Sequence, residues 1–151
     1  MINPILESFL QKHRVLCLST SGSDGPHSTP LRYAFQAKPL SFFCISQSDS
    51  RHMQEIIREA KVAASIAGAI HQGEDLEGVQ LWGKAFLREA HDPQINPYYR
   101  QFPETRTHVL LKNKTVFLEI QVERLRWIQT FLGLPQRKEW SIEGERWTRV
   151  N

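Results

Sequence analysis

The sequence predicts a mainly β protein, an antiparallel β-barrel with helices on its rim. Three observations predict it. Short alternating apolar segments recur along the chain, Gly-, Ser- and Pro-rich turn signals separate them at hairpin spacing, and only a few stretches carry helical periodicity. About seven strands in hairpin order leave exposed edges unless the sheet closes on itself, so a closed barrel is expected rather than an open sheet. The length, 151 residues, points to one domain over 1–151. A chain of that size buries a core without disulfide staples.

The elements follow in order. Pro4 to His13 places Ile5, Leu6, Phe9 and Leu10 at helical spacing. Arg14 to Thr20 alternates and then meets the turn signal Ser21-Gly22-Ser23-Asp24-Gly25-Pro26. Alternation resumes over His27 to Phe35, with Leu31, Tyr33 and Phe35 on one face, and breaks at Ala37-Lys38-Pro39. Leu40 to Ser46 completes a three-stranded meander. Beyond Ser46-Gln47-Ser48-Asp49-Ser50 the period changes: Met53, Ile56, Ile57 and Ala60 mark a helix over about Arg51 to Ala60. Val62 to Ala69 is small and apolar, as in a strand buried on both faces. A loop over His71 to Glu77 leads into a strand from Gly78 to Arg88, where Gly83 marks a bulge or a close backbone approach. Asp92 to Phe102 reads as helical, with Pro97 near a start. Thr115 to Val122 and Leu125 to Thr130 read as two strands, and Arg137 to Ile142 with Arg146 to Val150 as a hairpin around Glu143-Gly144-Glu145.

Composition excludes several classes. With 40% hydrophobic, 23% charged and 10% aromatic residues, disorder, collagen and coiled coil are ruled out. No apolar run approaches the ~20 residues of a membrane helix. The start, Met1-Ile2-Asn3-Pro4, lacks the basic and apolar regions of a signal peptide, so a cytoplasmic protein is expected. The net charge of +3 is too small to argue for a nucleic-acid partner. Charge is uneven, however: from Arg124 to Arg149 there are six basic residues against three acids, which suits a small anionic ligand as well as it suits RNA. Cys17 and Cys44 sit in apolar runs and read as small buried hydrophobes. The six histidines (His13, His27, His52, His71, His91 and His108) do not fall at metal-ligand spacing, so no metal is expected. No nucleophile elbow, Walker loop or dinucleotide-binding glycine motif is present.

Two constellations carry chemistry. The junction Ser48-Asp49-Ser50-Arg51-His52 ends a strand and opens a helix, where free N–H groups and the positive dipole end point outward together. Hydroxyls from Ser48 and Ser50 with the fork of Arg51 would make a phosphate cradle there. The same residues also read as an ordinary helix cap, Asp49 or Ser50, with Arg51 in solvent. The second constellation is aromatic. Each of Trp82, Trp127, Trp140 and Trp147 reads singly as core or interface, yet indoles near a phosphate site also suit a stacked planar ring.

The run Phe42-Phe43-Cys44-Ile45-Ser46, then Ser50-Arg51-His52 at a helix start, then Gly78-Val79-Gln80-Leu81-Trp82-Gly83, resembles the FMN-binding split barrels of the pyridoxamine 5'-phosphate oxidase type. It is closer still to an uncharacterised bacterial branch of that superfamily, which shares the Arg-His helix start and the Gly-Val-Gln-x-x-Gly strand. The resemblance runs from about residue 14 to the end. It implies that Ser50 and Arg51 grip the FMN phosphate, with His52 in place of the family's lysine. It implies that Gln80 faces the flavin, that Trp127 and Arg137 complete the flavin site, and that the strand from Ser28 to Tyr33, including Thr29 and Leu31, lies along the ring system. A homodimer with the flavin between subunits is implied as well.

The sequence also departs from that family. Ser28 and Tyr33 stand where the oxidase strand has an arginine and a lysine, and Gly133 and Pro135 stand where it has a substrate-holding arginine and histidine. These departures point away from pyridoxamine phosphate and leave an FMN-dependent oxidoreductase acting on an unidentified small molecule. Two alternatives stay open: a non-catalytic flavin carrier or sensor, and a haem-binding split barrel with His27, His52 or His71 as ligand.

Overall fold

The computed structural model describes residues 2–68, 76–111, 113–143 and 146–150. In chain order they form α1 (Pro4–Lys12), β1 (Val15–Gly22), β2 (Gly25–Ala37), β3 (Leu40–Gln47), α2 (Arg51–Arg58), β4 (Lys61–Ala67) and β5 (Glu77–Arg88). A 3-10 turn (Pro93–Ile95), α3 (Asn96–Gln101), α4 (Thr105–Leu111), β6 (Thr115–Phe131), β7 (Leu134–Glu143) and β8 (Arg146–Val150) follow. All described strands join one antiparallel sheet in the order β3-β2-β1-β4-β5-β6-β7-β8, and β3 also pairs with β6. That extra pairing closes six strands into the expected barrel and leaves β7 and β8 as a flange on the far half of β6. No described helix is long and apolar enough to cross a membrane.

Alternation decides which side chains fill the barrel. Leu16 and Leu18, Phe42 and Cys44, Val62, Ala64 and Ile66, Val79 and Leu81, and Leu118, Ile120, Val122, Leu125 and Trp127 all point inward and are buried. Leu6, Phe9 and Leu10 of α1 and Met53 and Ile56 of α2 join this core. Asn3 starts α1 by accepting from the Ile5 N–H at 2.9 Å, with Pro4 in the first turn. Each fully buried Leu or Phe contributes about 1.5–3 kcal/mol of burial. Outside the barrel, Ile95, Tyr98, Tyr99 and Phe102 pack on Ala34, Phe43 and Phe117, so the 3-10 turn and α3 cover one outer face.

Several expectations are corrected. β4 is not buried on both faces: Val62, Ala64 and Ile66 face the core while Ala63, Ser65 and Ala67 lie on a face that no described element covers. Small outward residues made the run look uniformly apolar, and its last residue, Ala69, lies outside the described residues. The two strands expected over Thr115 to Thr130 are one, because β5 pairs with β6 from Phe117 to Gln129, across the expected gap. The apparent break is a bulge: Val122 pairs with Gly83 and Arg124 with Trp82, leaving Glu123 extra, so two consecutive residues face out. Gly83 does mark a close approach, since a Cβ there would lie 2.0 Å from the Gln121 carbonyl oxygen. The helix expected over Asp92 to Phe102 is split by its prolines into a 3-10 turn and α3, and α4 was not foreseen. The β6–β7 turn is tighter than expected, with Leu132 and Gly133 both at positive φ as a two-residue hairpin loop of this hand requires. Gly144 and Glu145, the expected turn of the last hairpin, lie outside the described residues.

Candidate functional site

Polar groups gather at one mouth of the barrel, where β3 ends and α2 begins. Ser46 shares the inward side of β3 with Phe42 and Cys44, but at the end of the strand, where the core gives out. Its Oγ lies 2.8 Å from His52 Nε2 and 3.3 Å from Ser50 Oγ, and Ser50 Oγ is itself 3.2 Å from the same imidazole nitrogen. Ser50 is the N-cap of α2 by position, yet its side chain makes no capping bond. The cap reading of the sequence therefore holds for the backbone and not for the hydroxyl. Two hydroxyls and an imidazole nitrogen meet at a helix N-terminus, a donor set that fits a phosphate monoester.

His52 is buried, and burial first, then nearby His27, holds its pKa below the ordinary imidazole value, with Glu55 opposing. Arg51 points elsewhere. Its Nε donates to Glu55 Oε1 at 2.7 Å and one Nη to Asp24 Oδ1 at 2.6 Å, so two carboxylates already hold the guanidinium. Glu55 is buried and also accepts from the Thr20 hydroxyl; the hydrogen bonds from Arg51 and then Thr20 keep its carboxyl below the usual range. His27 Nδ1 lies 3.7 Å from Glu55 Oε2. Gly22 leaves room beside this cluster, since a Cβ there would come 2.5 Å from Glu55 Oε1 and push that carboxylate aside. Asp49 pairs with Lys114 Nζ at 2.6 Å, away from Ser50, and this hydrogen bond lowers its pKa.

The remaining predicted residues divide between the two faces of the sheet. Strand parity and pairing place Thr29, Leu31 and Tyr33 inward, opposite or beside Leu16 and Leu18. Tyr33 is fully buried and donates its hydroxyl to the Leu10 carbonyl at 2.9 Å. Ser28 faces out, with its Oγ 3.1 Å from Ser19 Oγ. Gln80 is on the same outer face, opposite Arg126, whose Nη1 reaches Gln80 Oε1 at 3.5 Å. Arg137 joins that face opposite Ile128. Trp127 faces the other way: it is 2% exposed and donates its indole N–H to Glu77 Oε1 at 3.0 Å. The structure thus joins Ser50 with His52, and Ser28, Gln80 and Arg137 with one another by face, while Trp127 belongs to the core.

The sequence reading missed Ser46, Thr20 and Glu55. Glu55 carries a readable signal, since it stands four residues after Arg51 on the same helix face. On the outer sheet face Arg124 stacks on Trp82 at 4.1 Å and Arg126 bonds Glu139 at 2.8 Å, which accounts for part of the C-terminal basic excess. Cys44 is buried, Cys17 partly so, and both are free thiols; burial raises the Cys44 pKa. Among the histidines named as haem ligands, His27 and His52 are at the mouth and His71 lies outside the described residues.

Comparison with known proteins fits this architecture. A family model described as pyridoxamine 5'-phosphate oxidase matches residues 2–129. The UPF0306 protein plu4501 of Photorhabdus laumondii is 24% identical over 138 residues, covering 90% of this chain and 93% of the relative. Among solved structures, a pyridoxamine 5'-phosphate oxidase-related, FMN binding protein from Nostoc punctiforme superposes with a TM-score of 0.70 at 12% identity, over 99% of this chain and 98% of the other. The heme storage protein HutZ from Vibrio cholerae superposes with a TM-score of 0.68 at 15% identity, over 80% and 89%. The fold shared by all of these is the split barrel.

Proposed function

Because the chain belongs to the pyridoxamine 5'-phosphate oxidase family, we propose that it binds FMN and acts as a flavin-dependent oxidoreductase on a small molecule. The observation that carries this reading is the convergence of Ser46, Ser50 and His52 at the start of α2. Hydroxyls, imidazole and free helix N–H groups together favour a phosphate tail. The fold shared with an FMN-binding neighbour supports the same ligand.

In this reading Ser50 and His52, helped by Ser46, hold the phosphate. Thr29, Leu31 and Tyr33 wall the mouth, Tyr33 through its main chain because its side chain is spent in the core. Arg51 stands at the rim, and its pairing with Glu55 and Asp24 sets how much of its charge a phosphate meets. Ser28, Gln80 and Arg137 lie on the opposite face of the sheet from the mouth. One copy does not offer both sets to one ligand, which supports a homodimer in which the outer face of one copy meets the mouth of the other. Trp127 acts from beneath by fixing Glu77. Bound flavin supplies hydride-transfer chemistry at its ring, and the chain binds it, orients it and limits water. Pyridoxamine phosphate is not the proposed substrate, since Gly133 and Pro135 bring no charge or donor side chain to the exposed β6–β7 hairpin.

The test is an absorption spectrum of freshly purified protein, followed by titration with FMN and with riboflavin. Flavin bands, and an affinity for FMN well above that for riboflavin, are the expected result. A colourless protein that gives no heat with FMN would overturn the reading. A Soret band would favour haem, a reading that the likeness to HutZ and the buried His52 support. Steady NAD(P)H oxidation separates an enzyme from a flavin carrier.

A further inference from the structure

A second site lies at the other end of β3. A cavity of about 680 Å³ is lined by Gln36, Pro39, Pro93, Gln94, Asn96, Pro97, Arg100, Arg106, Glu119 and Gln121. It sits on the outer side of the sheet, between the ends of β2 and β3 and the helices that cover them. β3 runs from Leu40 beside this cavity to Ser46 at the mouth, six residues at about 3.3 Å each, or roughly 20 Å. The two sites also lie on opposite faces of the strand.

The cavity has guanidinium groups to spare. Among the described residues, Arg100 has no ion-pair partner, and Arg106 has no carboxylate partner but stacks on the Tyr99 ring at 4.7 Å. The carboxylate in the wall, Glu119, is 3% exposed, and its charge is already met. Arg88 donates to Glu119 Oε2 through Nε at 2.8 Å and lies within 2.7 Å of it through Nη2, while Gln121 donates to Oε1 at 3.2 Å. Arg88 also lies 3.7 Å from Asp92. Three guanidiniums therefore stand against two carboxylates, with one positive charge in excess and two forks uncommitted.

The strand wall carries polar side chains, Gln36 and Gln121, on either side of a buried serine that does not itself line the cavity. Ser41 pairs with Gln36 on one side and with Gln121 on the other, so it lies between two lining glutamines in the same row of the sheet. Its side chain is 0% exposed, and its Oγ has no hydrogen-bond partner among the described residues. Gln94 and Asn96 add amide donors and acceptors at the other wall, and three prolines make the remaining surface stiff and apolar.

We propose that this cavity is a binding site for a small oxyanion-bearing metabolite, a carboxylate or phosphate that also carries hydroxyl groups. Arg100 and Arg106 hold the anion, and the side-chain amides of Gln36, Gln121, Gln94 and Asn96 receive the hydroxyls. The site is separate from the α2 mouth and does not depend on flavin binding there.

The experiment is calorimetric titration of the full chain at low salt with inorganic phosphate and with citrate, on wild type and on Arg100→Gln and Arg106→Gln. At least one probe binds wild type, and either substitution weakens it about tenfold, the loss of one charge-assisted contact. Which probe binds distinguishes a phosphate from a carboxylate ligand. FMN titration is unchanged in both variants. Arg106 packs on Tyr99, so thermal unfolding is compared first; Arg100 is exposed, so its variant alone decides if the other is damaged. No binding of either probe to wild type overturns the proposal, as does binding to Arg100→Gln at wild-type affinity, which would place the anion elsewhere, the α2 mouth included.

Discussion

The guanidinium of Arg51 and the carboxylate of Glu55 are joined across one turn of α2, Nε to Oε1 at 2.7 Å, with Glu55 buried and Arg51 half exposed. The helix tip therefore presents an arginine whose charge is already shared with two acids, Asp24 being the second. A phosphate arriving at Ser50 and His52 meets a compensated cation rather than a bare one. Under the proposed reading, that competition sets the strength of phosphate binding at the mouth.

This gives a double-mutant prediction. Arg51→Ala leaves Glu55 buried with its main partner removed, so it lowers the unfolding midpoint as well as FMN affinity. Adding Glu55→Gln restores the midpoint but not the affinity, while Glu55→Gln alone releases Arg51 from one of its two carboxylates, Asp24 remaining, and tightens FMN about tenfold over riboflavin. Thermal unfolding and flavin titration of the four proteins check it. Equal FMN affinity in wild type and Glu55→Gln would contradict it.

Acid stability follows from the same carboxylate. The folded pKa of Glu55 lies below its usual 4.5 because Arg51 and Thr20 donate to the charged form. Its contribution is complete above pH 4.5 and is lost as pH falls toward the folded value. Urea unfolding of wild type between pH 4.5 and about pH 3 is expected to show a steeper decline than Glu55→Gln.

His52 runs the other way around neutrality. Burial and His27 hold its folded pKa below 6.5, so the unfolded chain takes up the proton first and stability falls as pH drops below 6.5. His52→Gln flattens that slope. A phosphate placed against the imidazole reverses the shift, so FMN binding near pH 6 takes up protons, read by calorimetry in buffers of different ionisation heat. Proton-neutral binding would remove His52 from the phosphate site.

Gly83→Ala tests the barrel closure. The new methyl would sit 2.0 Å from the Gln121 carbonyl oxygen, and neither strand has slack to give. A loss of about 3 kcal/mol is expected by chemical denaturation. Wild-type stability would mean that the β5–β6 bulge is looser than described.

Most of the architecture was legible because alternation and turn chemistry are local. The Ser21–Pro26 turn, the Lys38-Pro39 break and the change of period after Ser50 each marked a real boundary. What failed depended on neighbours. The outward Ala63, Ser65 and Ala67 cannot be told from core by type, and Glu123-Arg124 read as a strand end because a bulge and a break look alike in one strand. The Arg-His helix start was legible as a place but not as an arrangement. Whether Arg51 faces the ligand or Glu55 depends on a rotamer and on Asp24, which a distant hairpin turn supplies. Trp127 shows the same limit: an indole in a strand among arginines faces inward only because Leu125 and Val122 set the phase.

β6 spans Thr115 to Phe131, and its near half sews the barrel shut along β3 while its far half carries β7. The flange is a local hairpin between adjacent segments, whereas the seam joins segments remote in sequence, so loop-closure entropy weighs more heavily on the seam. One ribbon thus carries both kinds of closure: a cheap one at its tail and a costly one at its head.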